Sequence, residues 1–354
     1  MSSRGRRNRI IALTILVITM FLIGMISGML IVHFANLKRQ AKEETNQQTA
    51  NTDRGAQIEI VKEESEEGKI INVYVPERIR QYGVIPRNPY NTENFRIEDG
   101  FMAYFNEEGE KISHLGVDLS YHQTKVDWQQ LKDSGCEFVM LRCGYRGYTE
   151  GGLVKDEKFD EYAAACNEYD IPMGVYFFTQ AISVEEAERE AEFVLSLIED
   201  YEISYPVAFD TENVTDKNAR TNINEITKEL RSNMCIAFCE KVKEAGYYPM
   251  IYASENWIRR NMDVELLQEY DFWAPQYLEE NDFMYDFTMW QYTEKGNIAG
   301  IEGEVDLNVS LVDYSQFVPN MRQAVLSGGE IKTIPSEQEE VSAQNEEGSE
   351  ELKE

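Results

Sequence analysis

Between residues 113 and 324, short apolar runs alternate with stretches of helical periodicity. The runs are, in order, LGVDLS (115–120), EFVMLRCG (137–144), IPMGVYFFT (171–179), YPVAFDTE (205–212), YPMIYAS (248–254), DFWAPQY (271–277), FTMWQYT (287–293) and GEVDLNV (303–309). Helices are predicted between the first five runs, at 126–134, at 158–169, after the N-cap signal of Ser183, and at 223–245 before Gly246. This alternation predicts βαβ units and a mainly parallel sheet. We therefore predict an α/β fold, a (β/α) barrel like the TIM barrel, with the last helices missing because the last strands lie too close together.

The first 37 residues have a different pattern. Residues 1–9 contain four arginines and no acid, and residues 10–37 contain no Asp, Glu, Lys or Arg. A mostly apolar stretch of this length can span a bilayer, and arginines ahead of it favour a cytoplasmic N-terminus. The alternatives are a buried soluble helix and a cleaved signal peptide, whose apolar region is usually shorter and ends at small residues. We predict a cytoplasmic tail at 1–9 and a single-pass transmembrane anchor at 10–37, with the rest of the chain extracellular at the cell membrane.

Three further segments flank the predicted barrel. Residues 38–68 are polar, charged and nearly free of aromatic residues, which is typical of a disordered stalk. Residues 69–112 contain aromatics and turn signals, so we expect a neck that packs on the barrel, with a small β-hairpin around Asn106–Gly109. Residues 325–354 contain nine glutamates, two lysines and no aromatic residue, which predicts an acidic disordered tail.

Composition narrows the classes of function. The chain has 64 acidic residues against 34 Lys and Arg, which disfavours nucleic-acid binding because that requires a basic surface. The five cysteines lack the spacing and histidine partners of a zinc site, so we expect buried thiols. Only three histidines are present, and His33 lies within the apolar stretch. A Ser-His-Asp triad or a multi-histidine metal site is therefore hard to build, and carboxylates are the better candidates for chemistry.

Acidic residues recur at the ends of three predicted strands. Asp118 and Asp306 each alternate with apolar neighbours, and Asp210 and Glu212 follow the buried run YPVAF two residues apart. Residues i and i+2 of a strand share a face, so Asp210 and Glu212 should both face the barrel lumen. Active sites of α/β barrels lie at the C-terminal ends of the strands. The sequence therefore predicts a cluster of four acids at one end of one barrel.

Two chemistries use such a cluster. A divalent metal site is one, but hydrolytic and redox metals normally recruit histidine as well, so we expect no metal and no cofactor. The other is glycoside hydrolysis, in which one acid protonates the leaving oxygen and a second carboxylate attacks or stabilises the anomeric carbon. Aromatic and amide side chains near the strand ends could then bind sugar rings; the candidates are Tyr176, Tyr252, Trp273, Gln276, Tyr277, Trp290 and Gln291.

Residues from about 114 to 318 resemble glycoside hydrolase family 25, the Chalaropsis-type lysozymes. The resemblance rests on an ordered series of motifs, GVDLSYHQTKVDW, FVMLRCGYRGY, GVYFFTQA, FDTEN, GYYPMIYAS, FWAPQY and WQYTEKGNIAGIEGEVDLN. It implies a flattened barrel, Asp210 and Glu212 as the catalytic Asp-x-Glu pair with Glu212 as proton donor, and Asp118 and Asp306 as further active-site acids. The chain departs from many members after the second strand, where it has Arg142-Cys-Gly-Tyr-Arg-Gly, and at Phe177, where many have histidine.

The resemblance predicts a peptidoglycan hydrolase that cleaves the β-1,4 bond between N-acetylmuramic acid and N-acetylglucosamine, with peptidoglycan glycan strands as partner. With the anchor predicted at 10–37, we expect this hydrolase to be membrane-anchored. We expect Glu212 to be protonated by the influence of Asp210's charge, and Asp210 to be ionised. A catalytically weak, glycan-binding barrel within a cell-wall-associated assembly is the alternative. A chitin-type hydrolase would share the chemistry but not the motif order.

Overall fold

A computed structural model describes residues 59–65, 68–76, 85–223, 225–278, 280–328 and 331–334. The predicted cytoplasmic tail at 1–9 and anchor at 10–37 lie outside the described residues, as does most of the predicted tail at 325–354. Of the helices in the described ranges, none is both long enough and apolar enough to cross a bilayer.

The described residues contain fourteen strands and six α-helices. The strands are β1 Glu59–Ser65, β2 Gly68–Pro76, β3 Phe95–Glu98, β4 Phe101–Tyr104, β5 His114–Leu119, β6 Phe138–Arg146, β7 Leu153–Lys155, β8 Met173–Phe178, β9 Val207–Asp210, β10 Pro249–Tyr252, β11 Asp271–Pro275, β12 Met289–Gly296, β13 Val305–Ser310 and β14 Ile331–Ile334. The helices are α1 Trp128–Asp133, α2 Phe159–Glu168, α3 Val184–Ile198, α4 Lys228–Glu244, α5 Glu255–Asn261 and α6 Val318–Leu326. Short 3₁₀ helices cover Thr92–Asn94, Val264–Leu267 and Tyr314–Gln316.

Eight strands form a closed barrel, which confirms the predicted architecture. Their order is β5-β13-β12-β11-β10-β9-β8-β6, with β6 pairing back onto β5 and β7 added at the edge of β6. All neighbouring pairs are parallel except those of β13, which is antiparallel to both β12 and β5. The short connection from Gly296 to Val305 allows a reversal but not a crossover helix. As a result, the start of β13 lies at the same end of the barrel as the C-terminal ends of the other strands.

Alternation along each strand divides the core into two parts. Outward residues such as Val207 and Phe209 join a large cluster with the helices, and the Phe209 ring lies 5.0 Å from that of Phe238 in α4. Inward residues fill the lumen and are Phe138, Met140, Ala208, Met250, Trp273 and Met289. Residues of α6 and the 3₁₀ turn before it join the lumen cluster at its other end. The acids at the open end therefore sit above an apolar floor.

The helices begin where local capping signals place them. The Ser183 side chain accepts a hydrogen bond from the Glu186 amide, as the capping signal predicted. The fourth predicted helix starts at Lys228 rather than 223, because Thr227 is its N-cap. Only the seven-residue α5 and a 3₁₀ turn separate β10 from β11, and in the described part of the chain no helix separates β11 from β12 or β12 from β13. The predicted loss of the late helices is confirmed.

Two predictions outside the barrel need correction. Residues 59–65, assigned to a disordered stalk, form β1, which pairs antiparallel with β2. Residues 331–334, assigned to the tail, form β14, which pairs parallel with β2. All three strands contain β-branched residues, which favour extended pairing. The sequence did not predict these strands because each lies within a longer segment whose average composition is dominated by charged residues.

The predicted neck packs against the barrel as expected. Phe95 of β3 lies 5.1 Å from the Trp290 ring and is buried in the outer core. The predicted turn at Asn106–Gly109 is present, closed by an isolated bridge between Phe105 and Lys111. The two-stranded sheet of this region, β3 with β4, uses a different turn at Asp99 and Gly100, both of which have positive φ.

Candidate active site

The four predicted acids line one cleft at the open end of the barrel. Asp118 is next to last in β5, Asp210 ends β9, Glu212 follows it, and Asp306 is second in β13. The cleft holds about 340 Å³ of space continuous with solvent, and its other walls are Tyr176, Tyr252, Trp273 and Gln291. Strand ends therefore fix three of the acids, and a loop carries Glu212.

Asp118 is held by two amide donors. The Gln291 Nε2 and Asn308 Nδ2 atoms each donate to its Oδ2 at 2.8 Å, and the Asn308 Oδ1 accepts from Trp273 Nε1 at 2.8 Å. Asp118 is only 5% exposed, so burial raises its pKa, while the amide donors oppose the rise by stabilising the carboxylate. Of the four acids, Asp118 is the one whose carboxyl accepts two amide hydrogen bonds among the described residues.

Asp306 lies directly opposite Asp118 in the β5–β13 pairing. Burial, followed by the charge of Asp118 and a hydrogen bond between the two carboxyls, raises the pKa of Asp306 to about 8. Of the two carboxyls, Asp306 is therefore the one that favours its protonated form and donates the hydrogen bond to Asp118.

Asp210 and Glu212 occupy different environments. Asp210 is 4% exposed, and its Oδ1 has no hydrogen-bond partner among the described residues. Burial, then the charges of Glu212 and Asp118, raise its pKa well above the ordinary value, with Arg142 opposing. Glu212 is exposed at the rim, and its pKa is raised by loss of solvation and by the charge of Asp118. Burial and the neighbouring acids favour the protonated form of Asp210, whereas Arg142 favours the predicted carboxylate.

The cleft aromatics are connected through one amide. The hydroxyls of Tyr252 and Tyr277 donate to Gln291 Oε1 at 2.9 and 2.7 Å, while the amide nitrogen of Gln291 binds Asp118. Tyr277 is half exposed at the rim, so one face of its ring can receive a sugar. Gln291 thus sets the position of both tyrosines relative to the acids.

Two predicted substrate-binding residues lie elsewhere. Trp290 points outward because Gln291 points inward; it is fully buried against the neck, and its Nε1 donates to the Gln276 carbonyl at 2.8 Å. The Gln276 side chain hydrogen-bonds Asp282 and closes its own loop rather than lining the cleft. Neither side chain lines the cleft with the four acids, and both make contacts within the fold.

Three residues of the site were not predicted. Asn308 holds Asp118, and its spacing of two from Asp306 was an available signal for a shared face. Arg142 Nε donates to Asp156 at 2.8 Å, and its guanidinium lies 4.8 Å from the Tyr121 ring centre, on the Asp210 side of the cleft. Tyr148 is 45% exposed, and the charges of Glu212 and Asp210 contribute to raising its pKa, which places its ring near both acids.

Comparison with known proteins agrees with this geometry. The uncharacterized protein YegX of Escherichia coli K12 is 26% identical over 215 residues, 59% of this chain and 74% of YegX. The autolytic lysozyme of Clostridium acetobutylicum is 21% identical over 223 residues, 63% of this chain and 60% of the lysozyme. The structure of the modular autolysin LytC from Streptococcus pneumoniae superposes with a TM-score of 0.51 and 25% identity, covering 61% of this chain and 52% of LytC.

The chain thus spans only about half the length of the LytC structure. The sequence model described as glycosyl hydrolases family 25 matches residues 117–301, just over half of the chain and most of the barrel. That match runs from within β5 to beyond the end of β12 and includes Asp118, Asp210 and Glu212. The protein belongs to glycosyl hydrolase family 25.

Proposed function

We propose that this glycoside hydrolase is a muramidase that cleaves the β-1,4 bond between N-acetylmuramic acid and N-acetylglucosamine in peptidoglycan. The observation that carries the proposal is the convergence of four carboxyls from separate parts of the barrel on one cleft walled by tyrosine and tryptophan. Family membership and the names of two relatives, an autolytic lysozyme and an autolysin, support the same substrate class.

Glu212 is the general acid in this proposal. Loss of solvation and the charge of Asp118 raise the pKa of Glu212, which favours the protonated form that a general acid needs, and its exposed position at the rim lets it reach a glycosidic oxygen. The proton moves from Glu212 to the leaving oxygen as the bond to the anomeric carbon breaks, leaving Glu212 as a carboxylate. The fixed charge of Asp118 favours the positive charge that develops on the sugar ring.

Asp210 orients the sugar in this proposal. Burial raises the pKa of Asp210, which disfavours a free carboxylate nucleophile and favours hydrogen bonds with the substrate's 2-acetamido group. That group would attack the anomeric carbon from within the substrate as the glycosidic bond breaks. Water would then add at the anomeric carbon, displace the acetamido oxygen and give up a proton that restores Glu212. Asp306, which donates to Asp118, stabilises the charge of Asp118.

The place of action is part of the proposal. The arginines of residues 1–9 and the uncharged residues 10–37 support a single-pass anchor with the barrel outside the cell membrane. An anchored barrel would meet the peptidoglycan next to the membrane that holds it.

Purified peptidoglycan tests the reaction directly. After digestion, the new reducing ends are reduced with borohydride and identified; muramitol supports the proposal, whereas glucosaminitol would mean cleavage of the other glycosidic bond. Glu212→Gln and Asp210→Asn should each lower the rate by about 10²–10⁴-fold, whereas the matched change Glu225→Gln, at an exposed acid of the same loop, should have little effect. Near-wild-type hydrolysis by folded Glu212→Gln and Asp210→Asn variants would show that the pair has another purpose.

A further inference from the structure

A second, smaller cavity lies beside the cleft. It has room for about one water molecule, and its polar lining comes from Thr179, Gln180, Thr211, Glu212, Thr221 and Arg231. Glu212 is the one residue that lines both this cavity and the acidic cleft. We call this space the Arg231 cavity.

Arg231 is a buried cation without a counter-ion. It lies in the first turn of α4, is 6% exposed, and forms no ion pair with any described residue. Its Nε is buried and has no hydrogen-bond partner in the described part of the chain. The Trp257 ring, 4.7 Å from the guanidinium carbon, gives partial compensation. An uncompensated buried charge is costly, so this guanidinium is expected to meet an anion at some stage.

The backbone beside Glu212 is fixed, whereas its side chain is free. The Thr211 amide donates to the Tyr252 carbonyl at 3.1 Å, and Trp257 Nε1 donates to Thr211 Oγ1 at 3.0 Å. The carboxyl of Glu212 makes no hydrogen bond or ion pair within the described ranges. Trp257 thus holds both the residue preceding Glu212 and the guanidinium of Arg231. The backbone that carries Glu212 and the unpaired guanidinium are therefore both positioned by Trp257.

The charges on the two sides of Glu212 are opposite. The titratable groups that face it from the cleft are mostly acids and phenols, namely Asp118, Asp210, Asp306, Tyr148, Tyr176 and Tyr252. The cation on that side, Arg142, is paired with Asp156. On the other side, the charged group is Arg231, whose own titratable neighbour on α4 is the Cys235 thiol. A neutral Glu212 tolerates the acidic side, but a carboxylate is repelled there and attracted to the guanidinium.

We propose that Glu212 has two positions: protonated in the acidic cleft, and, once ionised, turned into the Arg231 cavity, where it pairs with the guanidinium. The proposal rests on Glu212 being the proton donor. Arg231 is then a positioning residue, since it acts through Glu212 and does not touch the substrate. Transfer of the proton to the leaving oxygen leaves a carboxylate that turns to the guanidinium. The water that adds at the anomeric carbon then releases a proton, and uptake of that proton returns Glu212 to the cleft for the next cycle.

The test is the titration of Glu212 in the full chain, monitored through the ¹³C NMR signals of the glutamate carboxyls. The Glu212 signal is assigned as the one that is lost in Glu212→Gln. Arg231→Met removes the cation and keeps a long side chain, so the Glu212 midpoint should rise, by roughly one pH unit. Arg231→Lys keeps the charge and should titrate near the wild-type midpoint. Arg260→Met removes an exposed positive charge from α5 and should leave the midpoint unchanged. The alkaline limb of the hydrolysis profile should move in the same direction as each midpoint.

An unchanged Glu212 midpoint in folded Arg231→Met overturns the proposal. A uniform loss of activity without a shift of the pH profile would show a merely structural role and overturns it as well. If Arg231→Met does not fold, crystal structures of the wild type at about pH 5 and about pH 9 decide the matter, because the carboxylate must enter the cavity at the higher pH. Absence of peptidoglycan hydrolysis by the wild type would refute the proposed function, whereas the NMR titration would still decide whether Glu212 pairs with Arg231.

Discussion

Asn308 offers a quantitative test of how the barrel holds a charge in its interior. Replacing it with leucine, which has a similar volume, removes the donor to Asp118 and the acceptor for Trp273 Nε1. A hydrogen bond to a charged group contributes about 1.5–3 kcal/mol, and a buried donor left without a partner costs about 1–3 kcal/mol. Allowing for the better burial of leucine, we expect Asn308→Leu to lower the free energy of unfolding by about 2–5 kcal/mol.

Urea unfolding of four proteins separates the two contributions. The wild type, Asn308→Leu, Asp118→Asn and the double variant form a double-mutant cycle at neutral pH. Without the charge on Asp118, the loss of Asn308 should cost about 1–2 kcal/mol less than in the wild-type background, because a neutral acceptor needs its donor less. A cost below about 1 kcal/mol, or the same cost in both backgrounds, would refute the view that Asn308 is there to stabilise an ionised Asp118.

Two further predictions concern pH and topology. Because the folded state raises the pKa of Asp306 from 3.8 to about 8, it binds an additional proton between these values, and stability should fall as pH rises through that window. Unfolding free energies at about pH 5 and about pH 8 should therefore differ less in Asp306→Asn than in the wild type, while the exposed-site control Glu302→Gln should retain the full difference. If residues 10–37 are an anchor with a cytoplasmic N-terminus, protease added to intact cells should digest the barrel. A barrel that stays protected until the cells are lysed would contradict that orientation.

The barrel and its acids were predictable because their signals are local. Asp118, Asp210 and Asp306 each interrupt an apolar run at the position where the strand meets the open end, so alternation alone assigned their faces. Trp290 and Gln291 show where this fails. Both faces of a barrel strand are buried, and the larger apolar residue can face either the lumen or the outer layer. Only the packing of the neck on Trp290, through Phe95, determines which one it faces.

Other features depend on contacts that are distant in sequence. The direction of β13 follows from a short connection, but the pairing of Asp306 with Asp118 joins residues far apart in the chain. Arg231 lies in a helix with ordinary spacing, and nothing in its neighbours indicates that its guanidinium lacks a partner. The strands β1 and β14 occur in segments whose average composition is that of a solvated chain, and their pairing with β2 gives them order.

The apolar floor of the lumen has an evolutionary consequence. The acids stand above Phe138, Met140, Met250 and Met289, a setting that favours methyl groups over carboxyls. Any descendant that no longer needed catalysis could replace Asp210 with an apolar residue and become more stable, since the buried Oδ1 of Asp210 has no hydrogen-bond partner among the described residues. Substitutions that abolish catalysis would thus tend to raise the stability of this fold. A barrel that keeps all four carboxyls in such a place bears a continuing cost in stability, and that cost itself separates a working hydrolase from a scaffold that merely binds glycan.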